Sequence, residues 1–342
     1  MRKVLSKIKR IIFGDYFQKK IFFDGVNQFN ASGKTPQIAY QAFINLYCST
    51  NGKWNDDYQE KIKTLNPPIT VPNVLEGAIG SLDATDFKNI NNELNTNGYV
   101  KFENKISADA CQKLYECALK TGAKVPPKYD SKIIYDPLKP VAEIYRFDMN
   151  DLVNNPDIQA LIMDPVLINI ARNYLESEPL FDFPAMWWST AFSKEASSEA
   201  AQLYHFDMDR IKWLKIFIYL NDVGMDNGPH SYIKGSHKVG AKPANILKRG
   251  YVRIEDKELA PFYKKEDFIT LTGQQGEIFA GDTKCWHKGN PLKKGHRLVL
   301  EFQYSSFLFG TDYPPFVITN YTDEFKKFCE DNPVYASKIT FK

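Results

Sequence analysis

Apolar positions recur every three to four residues over the first half of the chain and crowd into short alternating runs over the second. Val4, Leu5, Ile8, Ile11 and Ile12 keep helical spacing, with Gly14 as the expected stop. Phe87, Ile90 and Leu94 predict a helix that ends near Asn97-Gly98, and residues 99–102 then alternate as a first strand. Ser107 is placed as an N-cap, with Ile106 and Cys111 as a hydrophobic staple, and Leu114, Tyr115, Ala118 and Leu119 carry one face on to Gly122. Asn155-Pro156 and Asp164-Pro165 each pair an N-cap residue with proline at the first helical position. The second of these helices carries Val166, Leu167, Ile170, Ala171 and Tyr174. Beyond about residue 180, β-type runs at 185–192, 204–209, 213–220, 276–280 and 298–304 are separated by turn signals such as Asp226-Asn227-Gly228 and Lys234-Gly235-Ser236. Many short strands with glycine and proline between them predict an antiparallel barrel or jelly roll rather than a doubly wound sheet.

Composition narrows the class. The 342 residues are 43% hydrophobic and 25% charged, enough to bury a large core, which excludes disorder or coiled coil as the whole answer. A net charge of +3 is too small for a dedicated nucleic-acid binder. That charge is uneven: residues 1–20 carry +6, leaving −3 for the rest. A basic amphipathic segment at 1–20 suits either a surface helix packed by its apolar face or a foot on an anionic membrane or acidic partner. Five scattered cysteines form no disulfide framework and no CxxC pair, so reduced thiols and a cytoplasmic setting are expected. The Pro67, Pro68, Pro72 stretch reads as a linker, dividing an N-terminal extension (1–84), partly helical, from a main domain (85–342).

Five histidines are present, and one context carries chemistry: Tyr204-His205-Phe206-Asp207. On a strand His205 and Asp207 point the same way, about 7 Å apart along the backbone, so an imidazole and a carboxylate can share one ion. A second histidine from a distant strand would complete a facial triad with open positions, as in non-heme Fe(II) oxygenases. His287 is the best placed of the others. Asp209 is a rival ligand on the same face, while His230 and His237 suit loop or rim positions and His296 faces away from Arg297. Cys285 is expected as a buried thiol, because a thiolate would suit zinc better than an oxygen-activating iron. In the run from Arg297 to Tyr304, Arg297, Val299, Glu301 and Gln303 share one face and Leu298, Leu300, Phe302 and Tyr304 the other. A guanidinium on the inner face of a barrel needs an anion, either a dicarboxylate cosubstrate or Glu301.

The run 204–238, with GDTKCWHKGNPLKKGHRLVLEF, resembles the phytanoyl-CoA dioxygenase family of Fe(II)/2-oxoglutarate oxygenases. The likeness rests on the H-x-D pair, the apolar strand after it, the N-G-P turn, the G-S-H close and the distal histidine followed by arginine, and spans residues 85–310. It implies an α+β protein with a double-stranded β-helix (jelly roll, cupin-like) core and flanking helices. Within it His205, Asp207 and His287 would be iron ligands and Arg297 the anchor for the far carboxylate of 2-oxoglutarate. Dioxygen is then the third reactant, and hydroxylation of a C–H bond in a small polar substrate, releasing succinate and carbon dioxide, is the implied reaction. Asp207 favours it over halogenation, where a small residue makes room for halide. The chain departs from the pattern in a His287-to-Arg297 interval one residue short and in Gly289, where a small hydroxyl residue is usual. The competing class is a cupin-like barrel that binds metal without oxygen chemistry, as an isomerase, sugar-binding protein or scaffold. Tyr204, Phe206, Asp209, Arg210, Lys212 and Trp213 are expected around the entrance, with Trp187 and Trp188 packing nearby. Substrate identity and oligomeric state are not legible.

Overall fold

The computed structural model describes residues 2–193 and 196–342, with backbone alone at 2–13, 128 and 129. Its centre is a double-stranded β-helix made of two unequal sheets. The larger runs, strand beside strand and antiparallel throughout, through Tyr99–Lys105, Glu277–Gly281, Trp213–Tyr219, His296–Ser305, Leu180–Thr190, Ile144–Arg146, Ala123–Val125 and Lys128–Ile133. The smaller joins Phe268–Leu271, His230–Ile233 and His287–Gly289 and is extended by a bridge between His287 and His205.

Alternation along the strands decides which side chains face the barrel interior. Leu214, Ile216 and Ile218 on one strand and Leu298, Leu300 and Phe302 on its neighbour point outward, into a core shared with Leu167, Ile170 and Ala171 of the helix Pro165–Leu175. That helix starts where its residues dictate, with the Asp164 carboxylate accepting from the Leu167 amide and proline in the first turn. Phe217, Tyr219 and Val299 point inward, against Tyr232 and Leu271 of the smaller sheet.

Three helices precede the barrel: α1 (Arg2–Ser32), α2 (Gln37–Thr50) and α3 (Lys53–Leu65). The expected stop at Gly14 does not occur. One glycine costs a helix about 1 kcal/mol, and burial of Phe22 and Val26 further along the same helix outweighs it. The side chains of the basic amphipathic stretch, Val4 to Ile12, lie outside the described residues. Phe22, Phe43 and Tyr47 form one cluster with Phe206, Met208 and Phe309, so these helices brace the outer side of the 204–209 segment. The Tyr47 and Phe206 rings stack at 5.4 Å. A hairpin, Val74–Gly77 with Gly80–Asp83, which the sequence pattern did not suggest, follows the proline stretch and places Ile79 in the main core. No described helix is long and apolar enough to cross a membrane.

Residues 204–209 were expected as a strand and are only partly one. Tyr204 bridges Ile254 and His205 bridges His287, but the Asp207 amide donates instead to the Thr283 carbonyl at 2.8 Å. The opposing chain turns there, with Cys285 N bonded to Asp282 O, so no ladder can continue. The in-out alternation survives: Phe206 and Met208 enter the helical cluster while His205, Asp207 and Asp209 line the barrel cavity.

Candidate metal centre

His205 and His287 are cross-strand partners that exchange both backbone hydrogen bonds, at 3.0 and 2.8 Å, and their rings lie 4.2 Å apart. In each ring Nδ1 meets a backbone carbonyl, Leu203 O at 2.9 Å and Cys285 O at 3.0 Å. A neutral imidazole donates to a carbonyl through Nδ1–H, which leaves the Nε2 lone pair free. Both Nε2 atoms face Asp207, His205 at 3.8 Å from Oδ1 and His287 at 3.7 Å from Oδ2. Ligand atoms of the three side chains all lie within 4.8 Å of one another, and all three groups are buried or nearly so. Two borderline nitrogen donors and one hard oxygen, grouped on one side of a cavity, form a donor set suited to a divalent first-row metal with positions left open.

The electrostatics hold these groups in the ligating state. Burial pushes the imidazoles of His205 and His287 below their usual range, so both are neutral near pH 7. Burial alone would raise the Asp207 carboxyl, but the Lys215 ammonium, the largest opposing influence, keeps Asp207 ionised. Lys215 stands on the inner face of Trp213–Tyr219, with Nζ 2.9 Å from Asp207 Oδ2, 3.4 Å from Glu301 and 3.6 Å from Asp209. Against the cost of burial, those three carboxylates hold the ammonium well above its usual range. Burial raises the carboxyls of Glu301 and Asp209, opposite to Asp207. Asp209, the rival ligand, shares the cavity but falls outside the three-residue cluster and is engaged by Lys215 and Thr311.

Arg297 opens from the strand His296–Ser305 into the same cavity of about 340 Å³. It donates to the Gly228 carbonyl and to Ser189 Oγ at 3.1 Å, while its buried Nε has no partner. No described carboxylate pairs with it. Glu301, the internal partner weighed from sequence, belongs to Lys215 instead. Burial therefore lowers the guanidinium below its usual range. An uncompensated buried cation with an unsatisfied N–H is a site for an anion. Gly289 fits this arrangement: a Cβ there would stand 3.1 Å from Arg297 Nη2, tighter than ordinary contact.

Other expectations need correcting. His230 is not at a rim. It lies in a strand inside the barrel, its ring 4.9 Å from that of Phe217. Arg210 does not stand at the entrance: its guanidinium makes two 2.7 Å bonds to the carboxylate of Asp182, fully buried. Trp213 is also buried, donating to Thr283 Oγ1, and Lys212 lies over the Tyr174 ring. Neither lines the cavity, nor do Tyr204 and Phe206; of the six residues expected there, Asp209 alone does. Trp187 lines the cavity, whereas Trp188 packs in the core beside His296. His237 lies 3.5 Å from Cys285 Sγ, and burial pushes that thiol up to about 12, so it is no thiolate ligand. Sequence reasoning passed over Lys215, a lone charge in the apolar run WLKIFIY, and Arg253, on an irregular segment with no period to reveal its side.

The phytanoyl-CoA dioxygenase (PhyH) family model matches residues 94–296, a span that includes His205, Asp207 and His287 and stops one residue before Arg297. No curated protein matches the chain. Similar solved structures include HygX from Streptomyces hygroscopicus with nickel and 2-oxoglutarate bound, 16% identical over 68% of this chain and 91% of that one, with a TM-score of 0.46. EctD from S. alaskensis in its apoform is 20% identical over 73% of this chain and 89% of that one, with a TM-score of 0.46. The epimerase SnoN in complex with Fe3+, alpha-ketoglutarate and nogalamycin RO is 14% identical over 65% of this chain and 84% of that one, with a TM-score of 0.48. With the family matched over more than half of its length, the chain belongs to the phytanoyl-CoA dioxygenase family of Fe(II)- and 2-oxoglutarate-dependent oxygenases.

Proposed function

We propose that the protein is a hydroxylase: it oxidises a C–H bond of a small polar molecule, taking one oxygen atom from dioxygen while 2-oxoglutarate is decarboxylated to succinate. His205, Asp207 and His287 hold Fe(II), and Arg297 grips the far carboxylate of 2-oxoglutarate. The catalytic unit is residues 85–342, and residues 1–84 are an extension whose helices brace it from outside and whose hairpin adds Ile79 to its core. The observation carrying this is one cavity with two free Nε2 atoms, the Asp207 carboxylate held ionised and the buried Arg297 guanidinium without an anion. A metal-binding barrel without oxygen chemistry has no use for that last group.

When bound, iron and 2-oxoglutarate supply the oxidising power. The chain's residues do the rest. The carbonyls of Leu203 and Cys285 fix both imidazole tautomers, so the donor atoms are aimed before a metal arrives. Lys215 takes Oδ2 of Asp207 and leaves Oδ1 as the freer oxygen. Arg297 and Ser189 set the depth at which a dicarboxylate can lie. Trp187, Phe183 and Phe217 wall the cavity and limit water around the reacting carbon. The test is succinate release from 2-oxoglutarate with Fe(II), screened over a metabolite panel, with product analysis under ¹⁸O₂. Iron-dependent release that disappears in His205→Ala, with label in a new hydroxyl group, supports the proposal. Tight metal binding without turnover supports the non-oxygenase barrel, and turnover without label in the product contradicts hydroxylation.

A further inference from the structure

Three guanidiniums line the cavity: Arg297, Arg146, which has partners of its own, and Arg253, whose charge the cofactor set does not use. Arg253 lies on the segment that pairs with the metal-bearing chain through the mutual backbone bonds of Ile254 and Tyr204, at 2.9 and 2.8 Å. It lines the same cavity as the three candidate ligands, and its charge is felt by both His205 and His287. It makes no hydrogen bond or ion pair with any described residue, and its Nη1 is buried with no partner.

Arg146, across from Trp187, donates to the Glu199 carbonyl and is not free, and the remaining charges in the cavity can be assigned in turn. Asp207 is a metal ligand, and Lys215 is shared among Asp207, Asp209 and Glu301. On the function proposed above, 2-oxoglutarate spends one carboxylate at the metal and the other at Arg297. Arg253, half-buried with Nη1 out of water, is then a cation with no anion left to meet it, and that buried N–H is costly without a partner. Trp187 and Met149, which also line the cavity, offer apolar surface for the remainder of a ligand.

We infer that Arg253 is a specificity-determining residue that receives an anionic group of the substrate, a carboxylate or a phosphate ester on a molecule with an apolar body. This rests on the iron and 2-oxoglutarate assignment, and the planar fork of arginine matches either oxyanion. The reacting carbon is then held between the anion at Arg253 and the apolar wall at Trp187.

Benzoate, phenyl phosphate and neutral benzamide are the probes, titrated calorimetrically into anaerobic Fe(II) enzyme saturated with 2-oxoglutarate. At least one anion binds tenfold or more tighter than benzamide, and which of the two it is separates a carboxylate site from a phosphate site. Arg253→Gln abolishes the difference, Arg253→Lys restores part of it, and 2-oxoglutarate affinity and the visible charge-transfer band are unchanged in both. Equal binding of all three probes, or anion preference that survives Arg253→Gln, overturns the inference. Loss of 2-oxoglutarate affinity in Arg253→Gln also overturns it, since the residue would then serve the cosubstrate. Absence of the band in wild-type protein is a separate failure, of the cofactor assignment, and the inference falls with it.

Discussion

The ammonium of Lys215 sits 2.9 Å from Oδ2 of Asp207, inside the barrel and on the strand that faces residues 204–209. It is the cation that balances three buried carboxylates, and on the proposed metal assignment it would limit how Asp207 can turn. Removing one partner of such a buried network exposes the others to the full cost of desolvation.

Lys215→Met therefore destabilises the metal-free protein by about 3–5 kcal/mol. Added Fe(II) returns more of that loss than it adds to wild type, because the metal supplies the missing positive charge. Thermal unfolding with and without Fe(II) checks both halves. Equal metal-free stability in the two proteins would contradict the balancing role.

Arg297→Leu leaves iron binding intact and weakens 2-oxoglutarate by about 10–100-fold, the worth of a charge-assisted hydrogen bond of about 1.5–3 kcal/mol. Arg297→Lys restores little, because a point charge cannot reproduce the fork. Titration of the cosubstrate against metal-loaded enzyme reads the change.

Arg210→Ala serves as the contrast. Asp182 keeps Lys338 and Gln303 as partners but loses its two-pronged guanidinium, so stability falls by about 3–5 kcal/mol. Affinity for 2-oxoglutarate in the protein that remains folded is unchanged. Denaturant unfolding and cosubstrate titration separate the two effects.

Burial, then the charge of Arg297, holds His230 well below its usual range, so it stays neutral in the folded protein while the unfolded chain takes up a proton below about pH 6.5. Its contribution is thus present above that pH and is lost as the pH falls, by about 1.4 kcal/mol per pH unit. His230→Gln makes stability between pH 5 and 6.5 less steep in pH. An unchanged slope would show that the imidazole charges without cost where it stands.

Much of this site was legible because a strand alternates faces whatever surrounds it. The same rule that put Arg297 and Glu301 inside and Leu298 and Leu300 outside matches the observed sheet. Applied to residues 213–219 it would also have put Lys215 inside with Phe217, but a single charge in an apolar run drew no attention. Arg210 failed for a different reason. Closeness in sequence to Asp207 says nothing of direction once the chain leaves the ladder, and the partner that fixes it, Asp182, is 28 residues away. Gly14 failed because a local helix breaker is outweighed by packing that only the tertiary structure supplies. Arg253 offered no signal at all, its place being set by the backbone pairing of its neighbour.

The most direct measurement is an anaerobic titration of the metal-free protein with Fe(II) and then 2-oxoglutarate, followed in the visible. A charge-transfer band that saturates at one iron and one 2-oxoglutarate per chain, and is lost in His205→Ala and His287→Ala, is the predicted result. A wild-type protein that binds iron yet gives no band with 2-oxoglutarate, or a band that survives both substitutions, would contradict the assignment.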